Sequence, residues 1–305
     1  MTDALRLRPV EPAEHPQALD LWRAVFGATP GYFERYYDAD PEYRPGDTWG
    51  VWDGGQLVSA VHLCRRRAAW KGGSLLCGGI ANVATLPDFR RRGLSRLLLR
   101  QMIAKMEAEN FDYALLATGT HAHYATLGWE TVERPQATLD PAPAPPQEAT
   151  WAVPQDTALP QSLYSLSPRP LQFERPPLYF DRWVGWDWRE PETTLLTWPG
   201  LGYAVLAGEG GEAATLKEWR AVDEASERAL LQAASEESHR RGQTCLWVEA
   251  LPQYGGLALL GSLGSVEAEN DDCMIRRIHL SPADYEEVRA AYATGTAAWW
   301  PADGF

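Results

Sequence analysis

The sequence predicts an α/β protein with mixed (α+β) sheets, built as two copies of one strand-and-helix unit in tandem. Three observations lead there. A chain of 305 residues is long enough for two domains of ordinary size. The stretch Pro141-Ala142-Pro143-Ala144-Pro145-Pro146 cannot continue a helix or a central strand, and it divides the chain near its middle. On both sides of it a meander, a long helix, a strand and a short helix follow in the same order. The expected organisation is a first domain over 1–145, a second over 150–281, and a helix and tail over 282–305.

In the first half Leu5–Pro9 reads as a strand, and Leu19, Leu21, Trp22, Val25 and Phe26 recur at helical spacing. A Tyr- and Phe-rich segment ends near Tyr37. Thr48–Trp52, the turn Asp53-Gly54-Gly55 and Leu57–Arg65 make a hairpin, followed by a strand over Ser74–Thr85. Leu94, Leu98, Met102 and Met106 share one face of a helix that stops at Asn110. Tyr113–Ala117 is a buried strand, His121–Leu127 a short helix, and Trp129 begins a final strand. In the second half, Leu195–Thr197 and Tyr203–Leu206 run through Gly208–Gly211 into Ala213–Val222. A helix covers Ala225–Arg241 with Gly242 as its stop. Cys245–Val248, a short helix Leu257–Leu260 and a late strand Met274–Ile278 complete it. Helix starts at 93 and 225 and stops at 110 and 242 share one offset of 132 residues, as a duplication would give.

A composition of 45% hydrophobic and 23% charged residues is that of a globular protein. No apolar run of about 18 residues occurs, which excludes a spanning helix. The polar start Met1-Thr2-Asp3-Ala4-Leu5-Arg6 lacks the apolar segment of a signal peptide. Cys64, Cys77, Cys245 and Cys273 are too scattered for a metal site or a redox pair, so no metal is expected and the cytoplasm is the expected location. Residues 1–140 hold 16 Lys+Arg against 17 Asp+Glu, and the remainder 12 against 24, for a net charge of −13. Nucleic acid needs a basic face and is excluded as a partner. The acidic half either draws in a cationic amine or simply keeps the protein soluble, and the second is preferred. A homo-oligomer remains open.

The sharpest local signal is Arg90-Arg91-Arg92-Gly93-Leu94-Ser95, between a strand and an amphipathic helix. The first turn of a helix leaves N–H groups unpaired and carries the positive end of the dipole, so anions sit well there. Gly93 lets backbone approach a pyrophosphate, and small Ser95 keeps the approach open. Without an anion, three arginines at that end would oppose the dipole.

Strand Ala81–Thr85 followed by Arg90-x-x-Gly93-x-Ser95 and a long helix resembles the coenzyme-A signature of the GNAT superfamily of N-acetyltransferases. Ser95 stands where that signature has Gly or Ala. Val83-Ala84-Thr85-Leu86-Pro87-Asp88-Phe89-Arg90 through Arg96, with His123-Tyr124-Ala125-Thr126-Leu127-Gly128-Trp129, resembles more specifically the enhanced-intracellular-survival family. That family joins a catalytic GNAT domain, a degenerate GNAT copy and a sterol-carrier-like domain, for which no room follows Ile278. The resemblance implies that the backbone of Val83, Ala84 and Thr85 pairs with the pantetheine arm of acetyl-CoA. It implies that Arg91, Arg92, Gly93, Leu94, Ser95 and Arg96, with Arg90 opening the signature, hold the pyrophosphate, and that Gly119 and Thr120 line the thioester end. In the second half the loop reads Val222-Asp223-Glu224-Ala225-Ser226-Glu227, whose acids would repel a pyrophosphate. One acetyl-CoA per chain is expected.

Attack of an amine on a thioester needs a neutral amine, a stabilised oxyanion and a proton for the departing thiolate. Tyr124 matches the family's proton donor, and tyrosine stays protonated at neutral pH; the alternative is a core tyrosine packed on Leu127 or Trp129. The family's base is a terminal carboxylate carried by Phe, and this chain ends in Trp299-Trp300-Pro301-Ala302-Asp303-Gly304-Phe305. His121 and His123 are weaker alternatives, and a water-mediated base stays open. Tyr36, Tyr37 and Asp38, with Tyr32, Phe33 and Asp40 beside them, are expected to wall the acceptor site. Trp183, Trp186, Trp188 and Asp187 read as core rather than as a second wall. The resemblance implies transfer of acetyl to a primary amine by direct attack in a ternary complex, the acceptor being an aminoglycoside or similar polyamine. The rival readings are an acyl-CoA-binding module without turnover, and an enzyme that acetylates a small metabolite or protein amine with a different base.

Overall fold

In the computed structural model, residues 5–27, 31–143, 150–152, 157–166, 168–208, 211 and 213–305 are described. Residues 1–4, 144–146 of the expected linker and 209–210 of the expected turn lie outside the described residues. The chain divides into two compact units. The first comprises residues 1–132, 272–287 and 305, the second 133–271 and 288–304.

Each unit is built on a seven-stranded mixed sheet. The first runs β1 (Arg6–Pro9), β2 (Thr48–Asp53), β3 (Gln56–Trp70), β4 (Gly73–Thr85), β5 (Tyr113–Ala117), β14 (Cys273–Arg277), β6 (Glu130–Thr131). The second runs β13 (Val266–Asn270), β7 (Arg134–Leu139), β12 (Cys245–Val248), β11 (Ala213–Ala221), β10 (Gly202–Ala207), β9 (Thr193–Trp198), β8 (Thr150–Ala152). In both, one parallel pair sits among antiparallel ones: β4 with β5, and β11 with β12. A long helix makes each crossover, α3 (Leu94–Ala108) in the first unit and α8 (Glu224–Arg240) in the second.

The two sheets share one strand topology, and the contacts do not divide at the expected boundary between 145 and 150. The strand expected to close the first half stops after two residues as β6, and β7 goes to the second sheet beside β12. The strand expected at Met274–Ile278 of the second half lies in the first sheet as β14, between β5 and β6. Repeats offer equivalent slots, and a strand pattern suited to one suits the other. Which strand fills which slot is a long-range choice that no local pattern expresses. The helix and tail expected over 282–305 are likewise shared out, since α10 (Pro282–Ala293) begins with the first unit and residues 288–304 belong to the second.

The common offset survives at one end only. Helices α3 and α8 are followed by left-handed Asn110 (φ 57) and Gly242 (φ 73), which are 132 residues apart, whereas their first residues, Leu94 and Glu224, are 130 apart. The apolar face of α3, with Leu98, Leu99, Met102 and Met106 buried, packs on Val58, Val61, Leu63, Ala114, Leu116 and Met274 of the sheet. In the second unit Trp183 and Trp188 are buried, and Asp187 pairs with Lys217 at 2.7 Å, so this cluster is core.

Strand β3 runs five residues beyond its expected end at Arg65, because Arg65 and Arg66 are buried rather than terminal. Arg65 is held by Asp47 (2.5 Å) and Glu109 (2.6 Å), and Arg66 by Asp40 (2.9 Å). Lys71 (φ 46) and Gly72 (φ 80) then make the two-residue turn into β4. Removing one partner of such a pair leaves a charge stranded away from water. Asp47→Ala is expected to cost about 3 kcal/mol, measured as a lower urea midpoint; an unchanged midpoint would show that Glu109 alone satisfies Arg65.

Candidate active site

The site begins with a defect in β4. Between the pairs Ala60↔Ala84 and His62↔Ala81 the register shifts, so Asn82 and Val83 stand against the single residue Val61. Asn82 takes φ 53, a conformation that asparagine tolerates better than most residues. Parallel pairing of β4 with β5 covers only Cys77–Gly79 against Tyr113–Leu115. Past that point β4 runs on through the bulge to Thr85 without β5 beside it, leaving its backbone groups to bind something else.

There a cleft of about 470 Å³ opens, lined by Val83 and Thr85 of β4, by Arg90, Arg91, Gly93, Leu94, Ser95 and Arg96, and by Thr120, His123 and Tyr124. Arg91 (φ 62) and Gly93 (φ 78) are both left-handed, and such turns direct successive N–H groups to one side. No side chain caps α3 at Gly93, so the first-turn donors are not satisfied from that residue. Space is not what requires glycine, since a methyl there would meet nothing within 4 Å; the backbone conformation requires it. The lining holds three arginines and no carboxylate among the described residues.

Not every expected residue faces this cleft. Arg92 donates to the Asp88 carbonyl at 2.7 Å and lies over the Phe89 ring, outside the lining. Ala84 is buried and its carbonyl accepts from Ser59 Oγ. Arg90 lines the cleft while its Nε donates to the Thr85 carbonyl. Gly119 lines neither this cleft nor the cavity beyond it, although its neighbours Thr118 and Thr120 share a 2.9 Å hydroxyl hydrogen bond.

Tyr124 belongs to the short helix α4 (His121–Ala125) and is only 8% exposed. It is part of the core cluster with Trp129 and partly buried Leu127, and it also lines the cleft. Burial pushes its phenol above the ordinary value of 10, against a hydrogen bond with Thr118 that pulls it down. His123 stacks edge-on against Tyr124, and burial together with the Arg96 charge holds its imidazole low and neutral. His121 lines neither cavity.

Beyond Tyr124 lies a second cavity of about 470 Å³, sharing Val83, Thr120 and Tyr124 with the cleft. Phe305 lines it. The Phe305 ring lies directly on Gly79: a methyl at Gly79 would come within 2.5 Å of the ring carbons. Gly79→Ala is therefore expected to dislodge Phe305 and lower turnover at least about tenfold, with acetyl-CoA affinity little changed. Steady-state rates and a coenzyme titration on the same preparation check it; unchanged turnover would mean the terminal residue takes no part.

Of the expected acceptor wall, Tyr32 and Phe33 line the second cavity. Tyr36, at 1% exposure, packs against Trp22 and His62, with burial raising its phenol to about 12. Tyr37 stacks on His15 at 3.7 Å and shares a hydrogen bond with Thr48. Asp38 is exposed at the end of α2 (Arg35–Asp38), and none of the three lines either cavity. Helix α2 turns its tyrosines toward the body of the unit, and the rings that line the cavity come from just before it: Tyr32 and Phe33, with Phe26 of α1 (His15–Phe26). His62, at the centre of the displaced aromatic cluster, is driven by burial and then by Arg66 down to about 3 and stays neutral. Gly79, Asn82, Thr118 and Phe26 were not anticipated. A glycine pair and an asparagine inside an apolar strand were the available cues.

In the second unit Asp223 Oδ1 accepts from the Ser226 N–H at 2.8 Å, capping α8 with the protein's own carboxylate. Among the described residues no cluster of His, Cys, Asp or Glu could hold a metal, and no helix is long and apolar enough to cross a membrane.

Residues 6–132 match the family described as Acetyltransferase (GNAT) domain. Three solved structures are similar in fold. A conserved protein of unknown function from Enterococcus faecalis V583 superposes with a TM-score of 0.73 at 17% identity, covering 91% of this chain and 74% of that one. Eis1 from Mycobacterium abscessus gives 0.66 at 15% identity, covering 90% and 74%. A GCN5-related N-acetyltransferase from Kribbella flavida gives 0.68 at 20% identity, covering 91% and 72%.

Proposed function

We propose that the first unit transfers acetyl from acetyl-CoA to a primary amine, and that the second is a degenerate copy which binds no coenzyme. One observation carries this reading. Arg90, Arg91 and Arg96 surround the uncapped head of α3 in a cleft without acids, and that cleft leads past Tyr124 into a second cavity. Three arginines around the N–H donors of an uncapped helix start fit a diphosphate better than they fit water. The corresponding position in the second unit is filled by Asp223, so the count is one acetyl-CoA per chain. Two units with one arginine-rich loop between them support the reading of an arrangement like that of the enhanced-intracellular-survival family. Four free cysteines, three of them buried, suit a reducing cytoplasm.

Both substrates are then small molecules, and the chain supplies positions and protons. N–H groups of residues 93–96 and the arginines hold the diphosphate, and the edge of β4 from Val83 to Thr85 that β5 leaves open takes the pantetheine arm. The acetyl end meets Thr120 and Tyr124. The acceptor enters as an ammonium ion and gives one proton to the Phe305 carboxylate, which passes it to solvent. Its nitrogen bonds to the thioester carbon while the carbonyl electrons move onto oxygen, stabilised by N–H groups at the bulge. The C–S bond breaks, and the thiolate takes the Tyr124 proton. The second amine proton leaves by the carboxylate, and Tyr124 regains its own. One amide, one free thiol and one proton result.

Arg91→Glu with Arg96→Glu is expected to weaken acetyl-CoA about 100-fold, two charge-assisted contacts being lost. Titration calorimetry at low and high salt checks this, since wild-type binding should weaken as salt screens the contacts. Equal affinity of the variant and wild type would remove the phosphate site. Tight binding without thiol release for any amine would leave a binding module.

A further inference from the structure

The expected acceptor was a polyamine, yet the cavity beyond Tyr124 is not built for one. We propose that the acceptor is a singly charged primary amine on an apolar or aromatic body, an arylalkylamine in type. This rests on the acetyl-transfer reading and names its substrate class.

The walls are Phe26, Tyr32, Phe33, Ile80 and the Phe305 ring, with Asn82, Thr118, Thr120 and Tyr124 as the polar contribution. No Asp, Glu, Lys or Arg side chain is among the described lining residues. The one anionic group any lining residue carries is the terminal carboxylate of Phe305. Glu34, close by in sequence, is already bound to Arg23.

Several positive charges lie close to the cavity. The Arg35 guanidinium lies over the Tyr32 ring at 4.5 Å, and Arg90, Arg91 and Arg96 line the adjoining cleft. One ammonium group finds one carboxylate. A second or third would give up its water with no partner and stand near arginines of like sign. An aryl or alkyl body instead removes its own apolar surface, and that of the wall rings, from water. A volume of about 470 Å³ suits such a molecule.

The test compares 2-phenylethylamine with spermidine and kanamycin, following thiol release at saturating acetyl-CoA, while coenzyme binding is titrated separately. The aryl amine should show kcat/KM at least about tenfold above either polycation. Phe26 is half exposed, so its variants should fold. Phe26→Ala should raise KM for 2-phenylethylamine several-fold, and Phe26→Glu should shift the preference toward spermidine. Coenzyme binding with spermidine or kanamycin preferred, or with no turnover of 2-phenylethylamine, overturns the substrate class. If acetyl-CoA does not bind at all, the acetyl-transfer reading itself falls and takes this inference with it.

Discussion

Replacing Tyr124 by phenylalanine lowers kcat by about 100-fold or more, with acetyl-CoA affinity within about twofold of wild type. The substitution keeps the ring that packs with Trp129 and Leu127 and deletes only the hydroxyl. A thiolate forced to leave without a proton is the poorer leaving group, so the loss falls on the chemical step rather than on binding. The pH profile gives an independent check. Burial disfavours the phenolate and raises the phenol above 10, so the acid form is present at lower pH and is lost only as pH rises through that raised value. Wild-type kcat should therefore show no alkaline decline below about pH 10 from this group. Single-turnover thiol release is the measurement, and a Phe variant as fast as wild type takes Tyr124 out of the mechanism.

A fragment ending at residue 145 fails to fold, although it contains the whole coenzyme loop. It lacks β14, whose Cys273, Met274 and Ile275 are buried and whose five residues pair with β5 along its full length. Losing the burial of two large apolar side chains costs about 2–5 kcal/mol each, against a total stability of about 5–15 kcal/mol. It also exposes β5, the strand beside the coenzyme cleft, as a bare edge. Residues 5–132 joined by a flexible linker to 272–287 should instead melt cooperatively. Circular dichroism melts of both fragments decide, and a cooperative melt from 1–145 equal to that of the joined fragment contradicts the exchanged strand.

The arginine-rich loop before α3 was legible in the chain because its chemistry is local. Arginines, a glycine with positive φ and a following amphipathic helix occupy consecutive positions, and nothing distant is needed to align them. The same holds for Tyr124, which follows the fifth strand at a short fixed distance. That Tyr36, Tyr37 and Asp38 line neither cavity was not legible, because a ring near a site reads the same whether it faces inward or toward a ligand. Their direction depends on where α2 starts, and Trp22 and His62 already occupy the space around them. The Arg65-Arg66-Arg67 run looked like a strand end because its partners, Asp47, Asp40 and Glu109, are remote in sequence.

Element types, the repeated order, the anion loop and its silent counterpart at Asp223 were written in the order of residues, since backbone propensity, capping and dipole effects act within a few positions. Tertiary structure alone decided which repeat receives β7 and β14, where the β4 bulge parts it from β5, and that Phe305 comes to rest on Gly79. Those outcomes depend on contacts between residues tens to hundreds of positions apart. Such contacts reward complementary shape and charge, which appear only once both partners are folded.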